Sequence, residues 1–175
     1  TTQGGVCLSG PTPGNGIGAN GNNFNQIVNN SISRSLFGIV GLSGGAPKSF
    51  GNQYSLNSMT AVSPNNIGRM GIVLLSEDAP VINANNISNI VFSGSNDVIG
   101  ISLGFATIGN SSTTGSEVTN ATVLCNVLDN LVENNTYSAV GIAIASTASG
   151  TSTIANNFIS NVFANGTGAD FAAGI

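Results

Sequence analysis

Seven carboxylates and three cations are the only ionised side chains in 175 residues, and no histidine accompanies them. The acids are Glu77, Asp78, Asp97, Glu117, Asp129, Glu133 and Asp170; the cations are Arg34, Lys48 and Arg69. Hydrolysis of a glycosidic bond needs two carboxyls facing one another across it, and a calcium site needs several oxygens converging on one point. Glu77 and Asp78 are adjacent, so in extended chain they point to opposite faces. Asp129 and Glu133 fall within one short segment, but no acidic set recurs elsewhere at matching positions. Carboxylates are normally solvated, so the inventory leans away from an enzyme. It names no catalytic residue and implies no cofactor. With no His, and with only Cys7 and Cys125 and no CxxC pair, no Cys/His metal set exists. The two cysteines read as isolated thiols, with one disulfide as the alternative.

Arg34 and Arg69 occupy the same place in two similar segments, Asn30-Ser31-Ile32-Ser33-Arg34 and Asn65-Asn66-Ile67-Gly68-Arg69. Stacked about 5 Å apart, two like charges repel unless an anion or a nearby acid, Glu77 or Asp78, compensates. The pair is therefore a candidate site for the carboxylate or sulfate of an acidic glycan. The plainer reading is two splayed, solvated side chains. Three scattered cations and a net charge of −4 exclude the basic surface that nucleic acid requires, and likewise a polybasic membrane contact. The longest apolar runs, 71–75 and 139–145, are far short of the roughly 20 residues that span a bilayer as a helix, so no direct membrane insertion is expected.

What must position these residues is a repeat. The order Asn, any residue, aliphatic, any residue, Asn appears at 85–89, 126–130 and 157–161, and with Arg in the last place at 30–34 and 65–69. A Gly-Ile pair follows each copy, at 38–39, 71–72, 100–101, 141–142 and 174–175. Four copies carry an aliphatic five residues before the central one: Ile27, Ile82, Val123 and Ile154. The central aliphatics fall at irregular intervals, and the extra residues, at 44–63, 104–120 and 146–153, are rich in Gly, Ser, Thr and Asn and read as loops. Aliphatics two residues apart, as in Ile101-Ser102-Leu103, indicate strands. Asn, Gly, Ser and β-branched residues are mediocre helix formers.

A chain of short strands needs sharp corners, and Asn tolerates left-handed backbone better than other non-Gly residues. The 26 Asn residues have a second use: stacked strands lie about 4.8 Å apart, a spacing at which equivalent amides bond to one another. The spacing predicts one ladder through Asn30, Asn65, Asn85, Asn126 and Asn157, and another through Asn89, Asn130 and Asn161.

These segments resemble the repeats of the pectin-lyase-like, right-handed parallel β-helix proteins. The Asn-rich, charge-poor style of "NNSISRSLFGIVGL" and "NNIGRMGIVLL" is similar to that of large secreted surface proteins of Bacteroidetes exported by type 9 secretion. The resemblance implies an all-β solenoid of about five rungs over residues 25–175, preceded by an irregular Gly/Asn/Pro-rich leader or cap at 1–24, the whole cut from a longer chain. It further implies a secreted or cell-surface structural or adhesive segment whose partners are glycans or other surface and secretion proteins. The alternative on the same scaffold is part of a polysaccharide lyase or glycoside hydrolase whose reacting residues lie in neighbouring rungs.

Overall fold

The computed structural model describes residues 4–8, 21–43, 47–105, 116–145, 150–168 and 171–175. Among them there is no helix, and every strand pairing is parallel. Strands are numbered in chain order. The first sheet holds β1 (Gly4–Leu8), β3 (Phe37–Leu42), β7 (Met70–Leu75), β11 (Val98–Leu103), β14 (Ala139–Ile144) and β17 (Ala172–Ala173). The second holds β2 (Gln26–Val28), β5 (Gln53–Ser55), β9 (Val81–Asn83), β12 (Thr122–Leu124) and β15 (Thr153–Ala155). The third holds β6 (Ser58–Met59), β10 (Asn86–Phe92), β13 (Val127–Glu133) and β16 (Phe158–Ala164), with Ser31 bridging onto Ser58. A separate pair joins β4 (Ser49–Phe50) to β8 (Glu77–Asp78). From β9 onward the chain visits second, third and first sheet in that order. Parallel neighbours need a long crossover between them; here strands of the other two sheets take the place usually filled by a helix.

Register turns the repeat into aligned columns. Ile27, Tyr54, Ile82, Val123 and Ile154 lie side by side in the second sheet. Met59, Ile87, Leu128 and Ile159 do so in the third, and Val6, Ile39, Ile72, Ile101 and Ile142 in the first. These columns meet in one core, most of whose members are fully buried. Each buried aliphatic contributes about 1.5–3 kcal/mol. The first sheet is covered on its other face too, where Phe37, Val40, Met70, Val73, Ile99 and Val140 form a second cluster. Burial on both faces accounts for continuous apolar runs such as Met70–Leu75, where a half-exposed strand would alternate.

The glycine of each Gly-Ile pair has a steric cause. A Cβ on Gly38 would meet the Gly71 carbonyl oxygen at 2.5 Å and Met59 Sδ at 2.2 Å. Gly71, Gly100 and Gly141 each face the next glycine's carbonyl at 2.5–2.7 Å and an aliphatic of the third sheet, Ile87, Leu128 or Ile159, at 2.4–2.7 Å. At this point the first and third sheets approach too closely for any side chain.

Two sequence expectations are corrected. Residues 4–8, placed in an irregular leader, form β1 and extend the first sheet, and Gly5 heads the glycine column, 2.9 Å from the Gly38 carbonyl as measured from an added Cβ. The segment 44–63, read as a loop, contains β4, β5 and β6. It supplies a strand to the second sheet and one to the third, disguised by Tyr54 and Met59 where aliphatics stand elsewhere. Much of the loops expected at 104–120 and 146–153 lies outside the described residues. Replacing Gly71 or Gly100 by Ala is expected to lower stability by about 1–3 kcal/mol or more through overpacking. Gly174→Ala, at an open position with nothing within 4 Å, is expected to change it little. Urea midpoints of the three variants check this.

Candidate functional site

The most extensive polar construction is a run of five asparagines at the corner between the second and third sheets. Asn30 N and Nδ2 both donate to Asn57 Oδ1 (3.1 and 3.0 Å), and Asn57 repeats this onto Asn85 (3.0 and 3.0 Å). Asn85 does so onto Asn126 (3.0 and 2.9 Å), and Asn126 onto Asn157 (3.0 and 2.9 Å). The second amide hydrogen reaches a main-chain carbonyl of the preceding pass: Asn57 donates to Ile27 O, Asn85 to Tyr54 O, Asn126 to Ile82 O and Asn157 to Val123 O. Asn57, Asn85 and Asn126 are buried, where an unmet amide is expensive. The residue before each ladder Asn has positive φ: Asn29, Leu56, Ala84, Cys125 and Asn156, between 54° and 59°. The left-handed residue makes the corner, and the Asn after it ties successive corners together.

Asn65 is not in this ladder; Asn57 takes the place expected for it. Asn65 and its neighbours instead run alongside the end of the preceding copy, with Arg34 N donating to Asn65 O and Gly68 N to Ser35 O. The expected second ladder forms in part. Asn89, Asn130 and Asn161 are all left-handed, and Asn130 Nδ2 donates to Asn89 Oδ1 at 2.9 Å. Asn161 Nδ2 turns instead to Asp129 Oδ1 at 2.8 Å. A further rung of the same chemistry, Asn25 onto Asn52, went unread because its preceding residues, Phe24 and Gly51, resemble no other copy.

The two arginines are not equivalent. Arg69 N donates to Leu36 O, not to the Arg34 segment's matching residue. Arg34 is exposed and donates from Nε to Asn65 Oδ1 at 2.5 Å. It lines a shallow groove of about 360 Å³ with Ser35, Leu36, Pro64, Asn66 and Gly68. Arg69 is buried, with its guanidinium carbon 5.8 Å from the centre of the Phe37 ring and Nε donating to Asp97 O at 3.1 Å. Burial pulls the Arg69 guanidinium below its ordinary value, against the opposing field of Asp97. No anion is required to reconcile the two cations, because they do not stack.

The acids divide between surface and interior, contrary to the solvated placement expected of all of them. Glu77 and Glu133 are fully buried. Glu133 Oε2 accepts from the Asn135 and Tyr137 backbone (2.8 and 3.1 Å) and so closes the turn after β13. Glu77 Oε1 accepts from the Tyr54 hydroxyl at 2.5 Å. Burial pushes the Glu77 carboxyl up to about 7, with Tyr54 and Asn52 acting in the opposite direction. Burial works upward on Asp78 as well, yet Thr119 Oγ1 and Asn120 Nδ2, at 2.8 and 2.7 Å, bring it below the usual carboxylate range. Ser160 and Asn161 do the same for Asp129. Asp97 Oδ1 accepts from Ser138 N at 3.0 Å and borders an apolar groove of about 490 Å³ on the outer face of the first sheet, beside Phe105, Val140 and Phe171. Among the described residues lining that groove there is no second acid. Asp170 lies outside the described residues. Cys7 and Cys125 are exposed and free, as isolated thiols. Among the described residues no group of three or more His, Cys, Asp or Glu could hold a metal, and no helix is long and apolar enough to cross a membrane.

Truncating Asn85 to Ala strips partners from the Asn57 amide, the Tyr54 carbonyl and Asn126. At about 1–3 kcal/mol for each buried group left unmet, a loss of several kcal/mol is expected. Asn65→Ala, outside the ladder, is expected to stay within about 0.5 kcal/mol of the parent. Equilibrium denaturation of the two variants measures the difference. No family model, no curated protein and no solved structure matches this chain.

Proposed function

We propose that this chain is a stretch of right-handed parallel β-helix serving as a structural or adhesive segment of a secreted cell-surface protein, of the pectin-lyase-like architecture. The observation that carries the reading is the unbroken asparagine run from Asn30 to Asn157, whose members are 27, 28, 41 and 31 residues apart in sequence yet directly bonded in space. A chain that returns to one corner after such unequal lengths is winding, with the surplus extruded as loops. Right-handedness follows from the strong preference of parallel crossovers. The six strands of the first sheet fit five turns and the start of a sixth.

A structural role suits how the polar groups are spent. The ladder amides, Glu133 and Asp97 organise backbone, and the outward charge is sparse. Stacked repeats of this type make stiff, protease-resistant stalks, and a neutral Asn-, Ser- and Thr-rich exterior suits a secreted surface protein. A carbohydrate-active enzyme would need a second carboxyl opposite Asp97 or a pair elsewhere.

A second reading concerns Arg34, which stands four residues after a ladder Asn, where Asn89, Asn130 and Asn161 stand in other copies. Its φ of 58° is uncommon for a long side chain and carries a modest cost. The side chain that replaces Asn there opens onto the 34–36/64–68 groove, where a guanidinium suits the carboxylate or sulfate of an acidic glycan. Surface or secretion proteins are the other partners of such a segment.

Inserting a second copy of residues 126–156 ahead of Asn157 tests the architecture. A folded chain about 4.8 Å longer with a higher denaturant midpoint is expected; a molten or aggregated product sinks the winding reading. A polysaccharide panel tests the role. Binding to uronate or sulfated chains that falls severalfold in Arg34→Gln is expected, with no release of reducing or unsaturated sugar. Turnover would overturn the structural role, and binding unchanged in Arg34→Gln would remove Arg34 from the contact.

A further inference from the structure

Three columns break their own pattern at one place. The inward column of the second sheet is aliphatic except for Tyr54. In the first sheet Leu8, Leu74 and Leu103 align with Gly41, which has no side chain. Along β4, β8 and the segment beyond, Ser49 aligns with Glu77, a carboxyl in the interior. The three departures meet. Tyr54 Oη donates to Glu77 Oε1, and a Cβ on Gly41 would lie 2.4 Å from that oxygen and 2.8 Å from the Tyr54 hydroxyl. Gly41 thus vacates the room that the Tyr–Glu pair occupies. Strand stacking does not demand this arrangement, since the aligned positions on either side hold Ile27 and Ile82 in the second sheet and Leu8 and Leu74 in the first, all part of or packed against one apolar core.

The pair is also incompletely met. Tyr54 and Asn52 are 0% exposed and Glu77 is 1% exposed; neither Glu77 Oε2 nor Asn52 Nδ2 makes a hydrogen bond within 3.5 Å, although Asn52 lies close enough to favour the ionised carboxyl and partly offset its burial. The charged and titratable groups around it are few. Tyr54 faces it from β5, and Asp78, next along β8, is engaged by Thr119 and Asn120. Lys48 Nζ donates to Thr119 Oγ1 at 3.2 Å, and Glu117 is half-buried beside Val118. From the first sheet Gly41 and Leu74 contribute none. No cation among the described residues pairs with the Glu77 carboxyl.

We propose that the Tyr54–Glu77–Gly41 contact is a proton-operated latch, shut while Glu77 is neutral and released, with the short β4–β8 pair, when Glu77 ionises. Neutral Glu77 accepts from Tyr54 through one oxygen and has a proton to offer the other side. Ionised Glu77 is a buried charge without a counter-ion, which low-dielectric surroundings penalise heavily. The route to water is short. β4 and β8 pair over only two residues each, Ser49–Phe50 and Glu77–Asp78, and local opening is easiest in such minimal elements. The direction of the pH response follows from burial raising the Glu77 carboxyl to about 7 from an ordinary 4.5. A raised folded-state value means that closure is strongest below the ordinary value and is lost as pH rises through the raised one.

Hydrogen exchange on the full chain, corrected for intrinsic exchange rates, reads the latch directly. In peptides covering 47–51 and 74–80, protection is expected to fall by up to about tenfold per pH unit as pH rises from the ordinary carboxyl value of 4.5 to about 7, and to level off above it. In Glu77→Gln the same peptides are expected to keep one level of protection across that range, while Glu133→Gln, at the other buried acid, leaves the wild-type response in place. Exchange in this segment that does not vary with pH, or that varies equally in Glu77→Gln, overturns the proposal. Should Glu77→Gln fail to fold, infrared titration of the wild type keeps the question open to decision. A protonated-carboxyl band that persists to neutral pH supports the latch, and its loss at an ordinary carboxylate pH refutes it.

Discussion

A buried asparagine brings two donors and an acceptor that must all find partners away from water, and the rest of this structure is arranged around meeting that demand. At the ladder corner each Oδ1 takes both the backbone and the side-chain N–H of the previous ladder Asn, and its own remaining amide hydrogen goes to the carbonyl of the residue three positions before that previous Asn, as from Asn85 to Tyr54 O. These bonds close only if successive corners lie one strand spacing apart. That requirement fixes the register of the second and third sheets on either side. It also explains why intervals between ladder members vary freely: the bond constrains the corner and leaves the length of chain between corners to the loops.

The glycine column is the complement of this polar tie. Where the first sheet meets the third, carbonyls of successive glycines stack with no room for a Cβ. Asn draws the corners together through hydrogen bonds; Gly permits the sheets to close on an apolar interior. Between them, the inward aliphatics at 39, 72, 101 and 142 and at 87, 128 and 159 form one continuous core. Against so regular a background, the Tyr54, Glu77 and Gly41 departures stand out as a set, because each has the size or polarity that makes the other two tolerable.

Several features were legible in the residue order because they rest on local rules. Strand periodicity, Gly-Ile pairs and the copies at 85–89, 126–130 and 157–161 all sit where the pattern placed them. The copy around Asn57 was not legible. Its left-handed residue is Leu56, its inward residue is Met59 and its second Asn position holds Ala61, so only the ladder residue itself is conventional. Asn65 and Arg69 misled for the opposite reason: Asn-Asn-Ile-Gly-Arg has the motif's composition, yet that segment runs alongside Ser35 and Leu36 toward the first sheet. Composition alone could not separate the two, since an Asn is equally at home in a ladder and at a bend.

The sequence by itself determined that this chain is built of short strands, that Asn and Gly recur at fixed places in the repeat and that only three cations stand against seven acids. Each of these follows from residue type and near-neighbour spacing. Tertiary structure decided which Asn joins the ladder, that β1 belongs to the first sheet, that Arg34 and Arg69 part company and that Glu77 and Glu133 lie inside. Those outcomes depend on register between segments about 30 residues apart, and on burial created only when all three sheets are present. Local sequence carries no record of either.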